Sequence, residues 1–175
     1  MIEPQVIEEF LNTVDERQFR RHGENHVATE HLSSPQALAG WLAAHHLASG
    51  DRELTAADLT ATTTLRTALR QSLLGDRDGG AATALADYPL RLVPDPDGGL
   101  RVAACTGRPW LDAIVAAVAA GAARDDWKRI KLCAAPDCRW AFHDTSRSGR
   151  GRWCSMEVCG NRHKTRTYRE RHQQA

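Results

Sequence analysis

The sequence has 175 residues, of which 42% are hydrophobic and 26% charged, and its formal net charge is +1. These values are typical of a globular protein, and the length suits one medium domain with a small additional module. The longest apolar run, residues 114–123, is too short to span a bilayer, and the N-terminus lacks the features of a secretion signal. We therefore expect a cytoplasmic protein with no membrane segment.

The charges are divided unevenly along the chain. Residues 131–175 contain ten Lys and Arg but four Asp and Glu, whereas acidic residues outnumber basic ones in the preceding part. A basic tail on an acidic body is typical of a protein whose tail contacts a polyanion. A tail that merely improves solubility gives the same pattern, so charge alone does not decide between the two.

The N-terminal residues predict a helix and then a loop. Val6, Phe10 and Val14 recur at helical spacing and predict a helix over residues 6–21. The polar residues 22–34 predict a loop. The spacing of the histidines in this loop fits no standard metal motif, so we expect them to be solvated.

Two helix starts follow along the chain. Ser34 before Pro35 is typical of a helix N-terminus, and this helix is expected to end near Gly50. Thr55, with Asp58 three residues later, predicts a capping box at the start of a second helix. Leucines at helical spacing give this second helix an apolar stripe that should be buried.

The remaining part of the body predicts one hairpin between helices. Near residues 90–103, two partly alternating runs flank a turn rich in Pro, Asp and Gly, which predicts a β-hairpin that must pack against helices. Alanine-rich segments predict helices over residues 81–87 and 110–123. The predicted fold class is therefore mainly α with one β-hairpin, with a helical N-terminal domain over residues 1–128.

Four cysteines near the C-terminus carry the strongest signal: Cys133, Cys138, Cys154 and Cys159. Two C-x4-C loops can supply four thiolates, which structural zinc prefers at about 2.3 Å. A module as small as residues 129–175 rarely folds on its own apolar core, so we expect a bound metal to stabilise it. We predict one structural Zn²⁺ bound by these four residues. Gly160, directly after the last cysteine, predicts a turn of the backbone.

Other uses of the cysteines need to be weighed. A reducing cytosol disfavours disulfides, whereas an iron–sulfur cluster or a single iron would use similar thiolates and stays open. His143 and His163 lie close enough along the chain to replace a cysteine ligand, but the symmetrical cysteine set leads us to expect them beside the site or on the surface instead. A catalytic zinc needs an open coordination position, which four thiolates do not leave, so we predict no enzymatic activity. The isolated Cys105 is expected in the core.

Basic residues surround the predicted zinc site. Three arginines lie in the Gly- and Ser-rich segment between the cysteine pairs, which predicts a mobile cationic loop, and residues 161–171 predict a basic helix. Trp140, Phe142 and Trp153 are expected to pack around the metal. A row of arginines at helical pitch can contact phosphates and bases in a major groove. The predicted DNA contacts are Arg147, Arg150, Arg152, Arg162, Lys164, Arg166 and Arg169.

The cysteine region resembles the CGNR zinc finger. Residues 159–162 read Cys-Gly-Asn-Arg, and the segments 136–138, 144–146 and 152–156 agree with the same family pattern. Weaker similarities upstream resemble the ABATE domain that usually precedes this finger. The upstream segments are residues 10–13, 38–42, 65–74 and 89–100.

These resemblances imply a bacterial, stress-related transcription regulator. Residues 129–175 would form the finger that binds DNA, and residues 1–128 would form a domain that senses a small-molecule or protein effector. A lone finger of this size would bind DNA weakly, so dimerisation through the helical domain would strengthen binding. The alternative is a zinc-stabilised protein-interaction or assembly module without DNA binding.

Overall fold

Six α-helices dominate the part of the chain described by the computed structural model, which covers residues 4–21, 24–47, 52–75 and 78–173. The helices are α1 Pro4–Leu11, α2 Pro35–Ala44, α3 Ala56–Leu73, α4 Gly80–Ala86, α5 Pro109–Ala123 and α6 Asn161–Gln173, with a 3₁₀ turn at Asp126–Arg129 and a π-helical turn at Met156–Gly160. In this part of the chain, no helix is long and apolar enough to cross a membrane. The prediction of a mainly helical fold is confirmed.

Four short antiparallel strand pairs accompany the helices in the described residues. The strands are β1 Val14–Asp15, β2 Arg20–Arg21, β3 Glu24–Asn25, β4 Thr29–Glu30, β5 Leu90–Pro94, β6 Leu100–Ala104, β7 Ile130–Leu132 and β8 Ala141–His143. β1 pairs with β4, and each of the other pairs joins consecutive strands. The predicted hairpin near residues 90–103 is the β5–β6 pair. The sequence does not predict the other three pairs.

The helix predicted over residues 6–21 is wrong beyond Leu11, where α1 ends. Thr13 Oγ1 donates a 2.8 Å hydrogen bond to the carbonyl three residues earlier. The Asn12 side chain reaches across to the backbone of Ala141 in β8. Side-chain hydrogen bonds of this kind compete with continuation of a helix, and they turn the chain into β1 instead.

The region predicted as a polar loop, residues 22–34, contains β3 and β4. Positions 22 and 23 of this prediction lie outside the described residues. Buried Arg66 of α3 holds β4 in place, because its guanidinium forks onto both carboxylate oxygens of Glu30 and also donates to Thr13 Oγ1. A buried charge of this kind needs such partners to offset its desolvation, which explains why a polar segment packs here.

The start of α2 agrees with its sequence signal. Ser34 Oγ accepts a hydrogen bond of 3.1 Å from the Ala37 backbone N–H, and Pro35 is the first helical residue. The helix ends at Ala44. Gly50, near which the end was expected, lies outside the described residues.

The capping box predicted at the start of α3 is also present. The Thr55 hydroxyl accepts from the Asp58 backbone, and Asp58 Oδ2 accepts from the Thr55 backbone at 2.9 Å. Asp58 is buried and also accepts from Arg52 Nη1 at 2.7 Å and from Arg108 Nε at 2.8 Å. The Arg52 guanidinium, together with Thr55 and Arg108, holds the pKa of Asp58 well below its usual range.

We expect Asp58→Asn to lower the free energy of unfolding by roughly 2–3 kcal/mol at pH 7, because the cap weakens and two guanidinium groups lose their charge partner. The folded pKa of Asp58 is depressed. Its contribution is therefore present above the unfolded pKa of about 3.9 and decreases as the pH falls below that value. Urea unfolding of both proteins across this range measures the effect. Exposed Asp97→Asn is the control and should stay within about 0.5 kcal/mol of the parent.

The hydrophobic core of the helical region continues into the C-terminal module. Trp110 of α5 is fully buried, and its indole N–H donates to Thr62 Oγ1 at 3.2 Å. Ile130 and Leu132 of β7 and Ala141 of β8 belong to the same buried cluster. The domain boundary predicted before β7 stays a prediction, but apolar packing continues across it.

The β5–β6 ribbon has one apolar side that faces outward. Leu90, Leu92, Leu100 and Val102 are 48%, 67%, 68% and 46% exposed. They share one side of the ribbon, because residues that lie directly opposite in a strand pair point the same way. Ala104, at the end of β6, is buried. The prediction that the hairpin packs against helices is confirmed at this end, where β6 contacts α5, while the outward side stays exposed.

Candidate metal centre and basic surface

The four cysteine sulfurs converge on one point. All four ligand atoms lie within 4.8 Å of one another, with Sγ–Sγ distances of 3.7 Å for Cys138–Cys154 and 3.8 Å for Cys154–Cys159. A tetrahedral zinc with bonds of about 2.3 Å separates its sulfurs by about 3.8 Å, so the cluster fits this ion. Cys133, Cys138 and Cys159 are buried, whereas Cys105, expected in the core, is exposed and lies outside the cluster.

The four thiols lie close enough to shift one another's pKa. Hydrogen bonds from the Cys138 and Cys154 thiols lower the pKa of Cys133, and the same bonds raise the pKa of Cys138 and Cys154. Burial raises the pKa of Cys159. Four thiolates this close repel one another, so they can coexist here only with a cation that offsets their charge.

The first pair of cysteines is presented by the β7–β8 hairpin. Cys133 follows β7, and its backbone N–H donates to the Trp140 carbonyl at 2.9 Å. Arg139, directly after Cys138, adopts a left-handed φ of 52° that returns the chain to β8. The Arg139 carbonyl accepts a 2.9 Å hydrogen bond from buried Arg70 of α3. The helical region thereby supports the turn that carries the ligands.

The second pair lies in the segment just before α6. Ser155 Oγ accepts from the Val158 backbone, which caps the π-helical turn that carries Cys159. Gly160 continues the π-helical turn with helical backbone geometry. The prediction that the chain changes direction at this residue is therefore wrong. Glycine is needed for a different reason, since a Cβ atom there would collide with the Met156 thioether and approach Trp153 Cδ1 to 3.3 Å.

Aromatic residues cover the cysteine cluster, as expected for Trp140 and Trp153. The third aromatic in this cover is Phe19 from the N-terminal segment, which no sequence pattern indicates. Phe142, which was expected here, does not belong to this cluster. Phe19 lies more than a hundred residues before Cys133, the first cysteine of the cluster, so no local pattern could have connected them.

The geometry is that of a small four-cysteine zinc module with a helical end, and comparison with known families agrees. Residues 129–172 match the CGNR zinc finger family. The match excludes the preceding residues, so their resemblance to the ABATE domain stays a prediction. A comparison with curated proteins gives no match. Four clustered cysteines in a CGNR zinc finger fit one structural Zn²⁺.

The final arginine of the family signature joins the two halves of the zinc finger. Arg162 Nη2 lies 2.7 Å from Asp137 Oδ1, next to Cys138 in the first cysteine loop. Its guanidinium also lies 3.6 Å from the centroid of the Phe19 ring. Arg162, which the sequence predicted as a DNA contact, is therefore partly buried and paired within the protein. These contacts give it a structural role.

We expect Arg162→Ala to destabilise the zinc finger, because the Asp137 pair and the stacking on Phe19 are lost. Competition with a chromogenic chelator should show faster zinc release from this variant than from the parent. Arg166→Ala, a matched change one turn later on the exposed side of α6, should leave the release rate unchanged. Equal release from both variants would contradict the structural role of Arg162.

The segment Arg147–Arg152 between the cysteine pairs, here called the arginine loop, is anchored at both ends. The sequence predicted a mobile loop instead. Buried Asp144 accepts from the backbone N–H groups of Ser146 at 3.1 Å and Gly151 at 2.7 Å and pairs with Lys131. The Lys131 ammonium and these N–H groups lower the pKa of Asp144. A Cβ atom on Gly151 would lie 2.7 Å from the Asp144 carboxylate, so this position requires glycine.

Six of the seven predicted DNA contacts are exposed, with Arg162 the exception. Their side chains form no ion pair with a described acidic residue. Arg152 lies over the Trp153 ring at 5.2 Å, and Trp153 contacts His163 of α6 with ring centroids 4.8 Å apart. The end of the loop therefore lies against the helix. Neither His143 nor His163 joins the cysteine cluster.

One side of α6 borders an open groove of about 530 Å³. Helical spacing places Arg162, Thr165, Arg166 and Arg169 on one side of α6, and all four line the groove, whereas Lys164 and the loop arginines do not. Arg20 of β2 also lines the groove; the charge pattern of the sequence does not indicate it, because it lies in the acidic part of the chain. The lining residues are Arg20, Glu157, Val158, Asn161, Arg162, Thr165, Arg166, Arg169 and Glu170.

Proposed function

We propose that this protein is a DNA-binding transcription regulator whose zinc finger contacts the duplex through α6 and the arginine loop. In this proposal the zinc is structural and the protein is not an enzyme. The metal fixes the two cysteine loops, and these in turn fix the direction of α6. The helical region would sense an effector and pass the signal to the finger through the shared core.

The observation that carries the proposal is the set of unpaired arginines along one side of α6. Arg166 and Arg169 are exposed, one turn apart, and border the same open groove. Guanidinium groups bind phosphate oxygens in a forked geometry, and helix-borne arginines can also reach guanine edges in a major groove. An anion that lies between two cations this close lowers their electrostatic free energy.

A salt titration tests this proposal. With three to six phosphates neutralised, log Kobs for a duplex should fall against log[salt] with a slope of roughly −3 to −5. The double variant Arg166→Ala/Arg169→Ala should reduce the steepness by about 2 and the affinity near 0.1 M salt by on the order of 10- to 100-fold. Fluorescence anisotropy with a labelled duplex measures both quantities.

The matched control is Arg91→Ala/Arg101→Ala, which removes two exposed arginines from the β5–β6 ribbon. This double variant should bind almost as the parent does. If zinc-loaded protein shows no duplex binding at about 20 mM salt, the proposal is wrong and the interaction-module alternative is favoured. Tighter binding to single-stranded RNA than to duplex DNA would equally contradict a role on duplex DNA.

The effector site and the homodimer stay predictions. A small pocket between α1, α5 and the 3₁₀ turn is lined by Ile7, Val118 and Trp127 and has a volume of about 30 Å³. This volume suits one or two water molecules rather than an organic effector. Analytical ultracentrifugation of the full chain over a concentration series tests the homodimer.

A further inference from the structure

We propose that Arg20, in the N-terminal segment, is a phosphate contact of the same DNA surface, so that the duplex backbone lies between the helical region and α6. This inference rests on the proposed function and extends it to a residue outside the zinc finger. The CGNR match begins at residue 129, so it does not include Arg20. The DNA-binding surface would then contain residues of both the N-terminal segment and the zinc finger.

The segment that carries Arg20 is fixed directly to the zinc finger. The Gln18 backbone N–H donates to the Asp137 carbonyl at 2.9 Å, next to a cysteine ligand. One residue earlier, the Arg17 guanidinium lies over the Trp140 ring at 4.0 Å and pairs with Asp15. These contacts fix the approach of the chain to β2.

Phe19 provides the third attachment and sets the position of Arg20. Its ring packs under the Arg162 guanidinium at the start of α6 and against the cysteine cluster. Because successive side chains of an extended segment point to opposite sides, the inward-packed, half-buried Phe19 directs Arg20 outward. Arg20 is exposed and borders the groove beside α6.

The charges around the groove favour an anionic occupant. Arg20, Arg166 and Arg169 have no ion-pair partner among the described residues, and Arg162 is paired with Asp137. Glu157 and Glu170 also line the groove, so three unpaired cations face two carboxylates. A phosphate backbone presents regularly spaced anions along an open path, which matches cations supplied from both walls.

The test compares Arg20→Ala with the parent in the full zinc-loaded chain. Loss of one phosphate contact should make the salt dependence less steep by about 0.9 and weaken binding near 0.1 M salt by about five- to tenfold. Since phosphate contacts carry no sequence information, the loss should be equal for unrelated duplexes. Arg20→Lys, which keeps the charge, should restore most of the affinity.

Arg91→Ala is the matched control, because it removes one exposed arginine from the β5–β6 ribbon. An equal loss in this control would attribute the effect to net charge and overturn the inference. Parent-like binding by Arg20→Ala, with Arg166→Ala still defective, would overturn it and leave the proposed function intact. Absence of duplex binding by the parent would overturn both. Zinc content and melting temperature should be unchanged in each variant.

Discussion

Cys154→Ser is expected to reduce the zinc content from one ion per chain to nearly none when a competing chelator is present. Three thiolates leave the tetrahedral shell open, and structural zinc contributes apparent free energies of about 10–16 kcal/mol in isolated zinc fingers. Without the ion, the loop after β8 and the start of α6 lose their shared anchor. We therefore expect a loss of helical signal at 222 nm together with the metal.

The structure indicates that this substitution also weakens the helical region. Ile130, Leu132 and Ala141 are buried in the same core as the helices, and exposing the two larger side chains costs about 1.5–3 kcal/mol each. The helical region should remain folded, because the sequence predicts it to be a separate domain, but its melting temperature should fall. Calorimetry of the variant and the parent measures this fall.

Cys105→Ser is the control for this experiment. Cys105 is exposed and lies outside the four-cysteine cluster, so its loss should leave one zinc per chain and the parent melting temperature. Retention of one tightly bound zinc by Cys154→Ser would contradict the ligand assignment. A metal content dominated by iron in the parent would contradict zinc itself.

Asn12→Ala should produce the second large effect, because Asn12 satisfies both backbone groups of a buried residue. Its Nδ2 donates to the Ala141 carbonyl at 2.9 Å, and its Oδ1 accepts from the Ala141 N–H at 2.7 Å. Each buried polar group left without a partner costs about 1–3 kcal/mol. We expect a decrease of roughly 2–5 kcal/mol in the free energy of unfolding, measured with urea.

Two further variants make this prediction specific. Asn12→Asp can still accept from the Ala141 N–H but cannot donate to the carbonyl, so it should be about as destabilising as alanine. Asn25→Ala, at an exposed position in β3, should change the stability by less than about 0.5 kcal/mol. An Asn12→Ala protein as stable as the Asn25→Ala control would show that this bond pair does not fasten β8 to the body.

Features set by short-range spacing could be predicted from the sequence. The helix caps at Ser34 and Thr55 depend on residues within one turn of each other, and both are present. The four cysteines have a spacing that determines the chemistry of the site, and their sulfurs converge. The β5–β6 hairpin follows from its turn composition. In each case the conformation that neighbouring residues favour is also the conformation in the folded protein.

Features set by distant partners could not be predicted. The end of α1 depends on Asn12 bonding to β8, which lies 129 residues away. Phe19 and Arg20 become part of the finger surface through packing that no periodicity records. Arg162 has the position of a DNA contact on a helical wheel, but its partner Asp137 belongs to the other cysteine loop. A helical wheel does not include such partners.

The continuity of packing across β7 and β8 limits how this finger could be reused in other proteins. Fragment design commonly treats zinc fingers as portable units that can be cut out and fused elsewhere. A graft that began at residue 129 would present Ile130 and Ala141 to water and would leave behind Asn12 and Arg70, which support the first cysteine loop. A transplant that keeps the geometry of this metal site would need to include α1 and the N-terminal segment as well.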